Sequence, residues 1–262
     1  MYTVDYNSYR AIKGFNHRVR FLVMHYTALD FKASITALTG PSVSAHYLIP
    51  DPSEKTYIDA GFKDMRIFNL VDENERAWHA GVSSWAGRSN LNDTAIGIET
   101  VNLACDNNGV FVFPPYNPVQ IDAIKELAAN ILQRYPDITP VNVVGHSDIA
   151  PGRKSDPGAA FPWKELYDAG IGAWYEESIM QHYLTQFSKS LPSKADIVAK
   201  LKAYGYDISD AGTEIGYKNL IRTFQLHFRQ KNYDGVVDAE TTAILYALVD
   251  KYFPGSNYIP AI

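Results

Sequence analysis

The chain has 262 residues, 46% hydrophobic and 20% charged, the balance of a globular protein rather than a disordered or fibrous one, with room for one large and one small domain. A formal net charge of −5 argues against a nucleic-acid-binding surface, and the single cysteine, Cys105, excludes an internal disulfide framework and any Cys-rich zinc cluster. No run of about 18 apolar residues marks a membrane span, and residues 1–15 carry no apolar stretch like a signal peptide.

Residues 19–26 (VRFLVMHY) are a continuous apolar run with His25 near its end, the pattern of a strand buried on both faces. Residues 31–38 have helical spacing before Gly40-Pro41 stops them. Residues 44–50 (SAHYLIP) and 55–58 are expected as strands around a turn at Asp51-Pro52, and residues 65–71 as another. Residues 77–81 (AWHAG) form a loop holding His79, and residues 85–93 are polar and irregular. Residues 95–101 (AIGIETV) are a further apolar strand, with Glu99 near its end. Asn117-Pro118 opens a helix along which Ile121, Ile124, Leu127, Ala128, Ile131, Leu132 and Tyr135 share one face. A strand over residues 141–146 delivers His146 to a loop whose Pro151, Gly152, Pro157 and Gly158 exclude regular structure, and a short helix follows around residues 163–169.

Strands mixed with helices indicate an α/β sheet with helices packed on it. His25, Glu99 and His146 each end an apolar strand, so neighbouring parallel strands would bring them to one edge, where ligands of open α/β sheets bind. From about residue 170 the character changes. Residues 171–189 read as a connector, and helices are expected over 193–204, 213–231 and 238–253, enough to enclose a small all-α core. The boundary is placed at 180/181, giving domains 1–180 and 181–262.

Two histidines and a carboxylate with an open fourth position make a catalytic zinc set. His25, His146 and Asp156 supply it if the loop folds back over the strand end; His46 and His79 are also available, and all of these could instead be satisfied structural histidines. Glu99 is placed as a general base, since a desolvated carboxylate has a raised pKa, or else as a structural anchor. Lys154, two residues before Asp156, either faces a developing oxyanion or braces the loop against Asp148 or Asp156. His17, His182 and His227 are assigned to surface or structural roles, and Cys105 to none.

The segments FLVMHYTA, VSAHYLIP, AWHAGVSSW, LNDTAIGIE and GHSDIAPGRKSDPG, in this order over residues 15–170, resemble the zinc N-acetylmuramoyl-L-alanine amidases, the type-2 amidase fold shared with peptidoglycan recognition proteins. The resemblance implies a mixed central sheet flanked by helices, one Zn2+ held by His25, His146 and Asp156, Glu99 as base and Lys154 at the carbonyl oxygen. The substrate implied is the amide between N-acetylmuramic acid, or its 1,6-anhydro form, and L-alanine. Trp78, His79, Arg88, Asn90, Tyr26 and Ala150 are then expected to contact substrate. Members of the family often carry an arginine where Asn90 stands, to bind a stem-peptide carboxylate, and Arg88 is the nearby cation. Asn232 to Thr242 (NYDGVVDAETT) resembles the turn of a three-helix peptidoglycan-binding domain, with Asp234-Gly235 as the turn and Asp238 as a helix cap. Members with this second domain are envelope enzymes, some anchored as outer-membrane lipoproteins, although no lipid-anchoring cysteine is present here. The expected partner is peptidoglycan or its muropeptides, acted on by a monomer. The rivals are a recognition protein that binds without cutting, and a cytoplasmic recycling enzyme confined to soluble anhydro-muropeptides.

Overall fold

The structure, a computed structural model, describes residues 2–108 and 110–255. In chain order the elements are β1 (Phe21–Tyr26), α1 (Phe31–Leu38), β2 (Tyr47–Ile49), α2 (Lys55–Asp59), β3 (Phe68–Asn69), β4 (Ser84–Trp85), β5 (Arg88–Ser89), β6 (Ala95–Thr100), β7 (Cys105–Asn107), β8 (Val110–Val112), α3 (Pro118–Arg134), β9 (Val143–Gly145), α4 (His146–Ile149), α5 (Trp163–Asp168), α6 (Glu177–Phe187), α7 (Lys194–Tyr204), α8 (Glu214–Phe228) and α9 (Ala239–Tyr252).

The central sheet has the order β3-β2-β6-β1-β9. β1 runs parallel to β6 and β9, β2 is parallel to β6, and only the edge strand β3 is antiparallel. This is the mixed sheet that the apolar runs and flanking helical patterns indicate. The register carries the functional consequence. His25 stands opposite Glu99, and Met24 opposite Gly145, so His146 emerges beside the end of β1.

Several sequence expectations change in detail. Residues 55–58 are not a strand: Glu54 caps the turn, its Oε1 accepting from Thr56 N–H at 2.8 Å, and α2 buries only Tyr57. Of residues 65–71 only Phe68 and Asn69 join the sheet. Residues 85–93 hold the β4–β5 hairpin and a 3-10 turn, Leu91–Asp93. His146 opens helix α4 rather than closing a strand, because Asp148 Oδ2 accepts the Gly145 N–H at 2.7 Å and Asp156 O accepts the Ser147 N–H at 2.8 Å.

The supposed connector over 171–189 contains α6, so the 180/181 boundary cuts a helix. Ile179, Met180, Tyr183, Leu184 and Phe187 form its apolar stripe, and Tyr183 hydrogen-bonds Asp250 of α9. The three later helices are capped by Ser193, Thr213 and Asp238, the last as the sequence indicated. One hydrophobic cluster runs without a break from Val23 and Ile96 of the sheet, through Trp163 and Trp174, to Phe224 and Leu248 of the helical region. No helix among the described residues is long and apolar enough to cross a membrane.

Candidate metal centre

Three donor atoms converge at the carboxyl edge of the sheet. His25 Nδ1 lies 3.0 Å from His146 Nδ1, and Asp156 Oδ2 lies 2.9 Å from the first and 3.0 Å from the second. All three residues are buried, at 1%, 4% and 6% exposure. Two imidazole nitrogens facing each other across a carboxylate make poor hydrogen-bonding sense and good ligand sense. Donors held about 2.0–2.1 Å from one tetrahedral cation stand roughly 3.3 Å apart, close to this triangle. Among the described residues this is the one group of histidine, cysteine and acidic side chains close enough to share a metal.

The outer atoms of both rings are tied down. His146 Nε2 lies 3.0 Å from Ala80 O, which can only accept, so Nε2 carries the proton and Nδ1 presents its lone pair to the site. His25 Nε2 meets His79 Nδ1 at 3.0 Å. Burial, reinforced by the neighbouring His146, holds His25 down to about 4, so it is neutral at pH 7 and able to bind a cation. Burial alone would raise Asp156, but His146 and His25 outweigh it and keep its carboxyl well below the usual range when a facing Nδ1 carries a proton, as it can in the metal-free site.

His79 was expected to contact substrate, but it is only 8% exposed and lies behind His25. Its ring rests on β6 at Gly97, where a Cβ would come within 2.5 Å of it, so the strand needs glycine there. His46 is also spoken for, with Nδ1 accepting the Gly97 N–H at 3.0 Å and Nε2 donating to Glu75 O at 3.3 Å. Among the histidines, the geometry brings His25 and His146 together with a carboxylate, a convergence that spacing could not supply.

Glu99 Oε1 stands 4.0 Å from His25 Nδ1, and its side chain keeps 14% exposure. Its Oε2 has no hydrogen-bond partner among the described residues, and burial, aided by the charge of Asp156, pushes this carboxyl well above the ordinary value. Lys154 is exposed on the loop above, and its charge acts on both Glu99 and His25. It pairs with neither Asp148 nor Asp156 among the described residues. Asp148 is instead sealed inside, a role the sequence did not reveal although a carboxylate followed by Ile149 and Ala150 is a signal of it. The loop is further braced by Arg153, whose Nη2 donates to Ala80 O and Val82 O at 2.8 and 2.6 Å.

The remaining predicted contacts lie outside the donor cluster. The Tyr26 hydroxyl bonds Ser155 Oγ at 2.6 Å, and Trp78 is 52% exposed. Arg88 and Asn90 are exposed on the β4–β5 hairpin, Asn90 with φ 56°, and neither is bonded to the donor cluster among the described residues. Ala150 lines a groove of about 390 Å3 together with Ser83, Ser89, Arg153, Asp210 and Asn219.

Comparison with known proteins agrees with this geometry. The sequence profile of the N-acetylmuramoyl-L-alanine amidase family matches residues 15–159. The chain is 45% identical over 237 residues to the N-acetylmuramoyl-L-alanine amidase AmiD of Escherichia coli (strain K12), covering 90% of this chain and 84% of that protein. The structure is similar to that of AmpDH3 from Pseudomonas aeruginosa in complex with anhydromuramic pentapeptide, with a TM-score of 0.94 and 60% identity over 96% of this chain and 99% of that one. It is also similar to E. coli AmiD in complex with the substrate anhydro-N-acetylmuramic acid-L-Ala-D-gamma-Glu-L-Lys, with a TM-score of 0.83 and 42% identity over 95% and 97% of the two chains.

Proposed function

We propose a reaction for this chain from one premise: it belongs to the N-acetylmuramoyl-L-alanine amidase family. It is read as a hydrolase that cleaves the amide between the lactyl group of N-acetylmuramic acid and L-alanine in peptidoglycan and muropeptides. The 1,6-anhydro form is included because both ligand-bound relatives hold anhydromuramyl peptides. The observation that carries the reading is the buried triangle of His25, His146 and Asp156 with Glu99 beside it.

His25 Nδ1, His146 Nδ1 and Asp156 Oδ2 would hold a zinc ion, since two neutral imidazoles and a carboxylate suit this borderline cation. When bound, zinc supplies a Lewis acid and lowers the pKa of a coordinated water to roughly 7. Glu99, its proton affinity raised by burial, takes a proton from the attacking water and passes it to the leaving nitrogen of L-alanine. Lys154 places its ammonium at the carbonyl oxygen, where negative charge develops. Asp156 would act as an ionised ligand, since an anionic carboxylate is the form that binds a cation. Trp78, Tyr26, Ala150 and the Arg88–Asn90 hairpin are assigned to the walls that receive sugar and stem peptide.

We assign hydrolysis to the sheet region that precedes α6 and attachment to the wall polymer to helices α7, α8 and α9, whose Asn232–Thr242 turn supports that role. The cell envelope is the compartment in which such a polymer is met. The test is peptide release from a purified anhydro-muropeptide with and without chelator. Release that stops with chelator and returns with zinc supports the reading; binding without release would favour a recognition protein.

A further inference from the structure

Helix α8 presents a line of polar side chains at intervals of four, Asn219, Thr223 and His227, continued by Gln230 just past its end. Such spacing lays them along one stripe. Each meets the segment 145–161 that carries His146 and Asp156. Asn219 packs on Gly152, whose φ is +76° and where a Cβ would stand 2.4 Å from the amide nitrogen. Thr223 Oγ1 donates to Ser147 O at 3.3 Å, His227 Nδ1 donates to Asp148 Oδ2 at 2.7 Å, and Gln230 Nε2 donates to Phe161 O at 2.5 Å.

The His227–Asp148 contact is the centre of this seam. Asp148 is 0% exposed and His227 3%. Besides His227, Asp148 Oδ2 accepts the Gly145 N–H at 2.7 Å, and its Oδ1 accepts the Tyr206 hydroxyl at 2.7 Å. The His227 ring is sandwiched between Trp163, with centroids 3.8 Å apart at 17°, and Phe228, 3.9 Å apart at 7°. Gly145 caps the turn from which His146 projects, so Asp148 fixes the backbone of one metal donor, and α8 together with Tyr206 fixes Asp148.

We propose that α8 is a positioning element of the hydrolytic site, with His227 and Tyr206 acting through Asp148 to hold His146 and Asp156 in register with His25. The inference rests on the zinc reading above and extends it to the helical region, which is then part of the site's foundation as well as a wall-binding unit. Its physical basis is that two of the three donors sit on a turn and a loop rather than on the sheet. Donor geometry there is only as stiff as what lies beneath it, and loss of such outer partners costs about 10–100-fold in metal affinity or activity.

The test compares full-length His227→Leu, which removes the donor, with His227→Asn, which returns an N–H near the Nδ1 position. The readouts are zinc affinity by chelator competition, the visible spectrum of the cobalt-substituted protein, kcat and KM on an anhydro-muropeptide, and sedimentation with sacculi. For His227→Leu the expected result is zinc affinity weakened about 10–100-fold, an altered cobalt spectrum, kcat reduced more than KM is raised, and unchanged sedimentation. His227→Asn recovers most of each. Tyr206→Phe, which deletes one hydrogen bond with little change of shape, shifts zinc affinity the same way and serves if the leucine variant does not fold. Wild-type zinc affinity and cobalt spectrum in a folded His227→Leu or Tyr206→Phe protein, whatever the melting temperature, would overturn the inference. Failure of the zinc reading shows separately, as wild-type protein that binds no zinc, and that result overturns both.

Discussion

Buried polar groups are treated in opposite ways at the sheet edge and inside the helical region. Gln225 of α8 is 0% exposed and fully used: its amide donates to Val236 O at 2.9 Å and Thr241 Oγ1 at 3.1 Å, and its carbonyl accepts the Gly235 N–H at 2.8 Å. It closes the Asp234-Gly235 turn onto the helices. At the sheet edge the Glu99 Oε2 has no partner among the described residues, and two histidine nitrogens face each other at 3.0 Å. Satisfied groups specify a fold, whereas groups left facing a common point await a ligand. His227 is half satisfied, with Nδ1 on Asp148 and Nε2 without a hydrogen-bond partner among the described residues.

The largest effect expected from this contrast is at Asp156. Asp156→Ala removes one corner of the triangle, and both zinc content by elemental analysis and turnover should collapse, the latter by about 10^4-fold or more. Retained zinc would remove Asp156 from the ligand set. Glu99→Gln is expected to keep zinc and lose about 10^2–10^4-fold in kcat. In the wild type, kcat should rise with pH through a pKa above the ordinary carboxylate value, because burial raises Glu99 and the base must be ionised. A glutamine variant with near-wild-type release of stem peptide would exclude Glu99 as the base.

A third expectation concerns the chelator-treated protein. His25 is held at about 4 against 6.5 when free, so the unfolded chain takes up its proton first as pH falls. Its contribution is complete above pH 6.5 and is lost on the way down to about pH 4, by up to roughly 3 kcal/mol. His79, also lowered by burial, acts in the same direction; Glu99, raised by burial, partly offsets them. Urea midpoints at pH 7 and pH 4.5 measure this, and equal values would contradict it. The smallest effect should come from the satisfied side of the comparison. Gln225→Leu strands the Gly235 N–H and costs about 1–3 kcal/mol in thermal unfolding, with kcat at 25 °C unchanged. A loss of kcat in a folded Gln225→Leu protein would mean that the two kinds of buried group are not separable.

What the sequence shows of this site follows from how far apart its partners lie. An apolar run ending in a polar residue announces a strand delivering a side chain to a sheet edge, so His25 and Glu99 are legible, and the Pro/Gly-rich loop draws attention to His146, Lys154 and Asp156. The parallel register that sets His25 beside Glu99 needs the strand order, which no local pattern contains. His79 looked like a groove residue because AWHAG is an exposed-looking loop; only the glycine at position 97 lets its ring fold in behind His25. Asp148 and His227 are 79 residues apart, and each alone reads as an ordinary turn or helix residue. The helix at 177–187 did carry its pattern, but its polar flanks resembled a linker.

The most direct measurement of the central claim is mass spectrometry of muropeptides digested in 18O water, with zinc and with chelator. The account predicts 18O in the lactyl carboxyl of the muramyl product, a stem peptide with a free L-alanine amino end, and neither product in chelator. Label in a carboxyl group of the stem peptide, or products that form equally well in chelator, would contradict it.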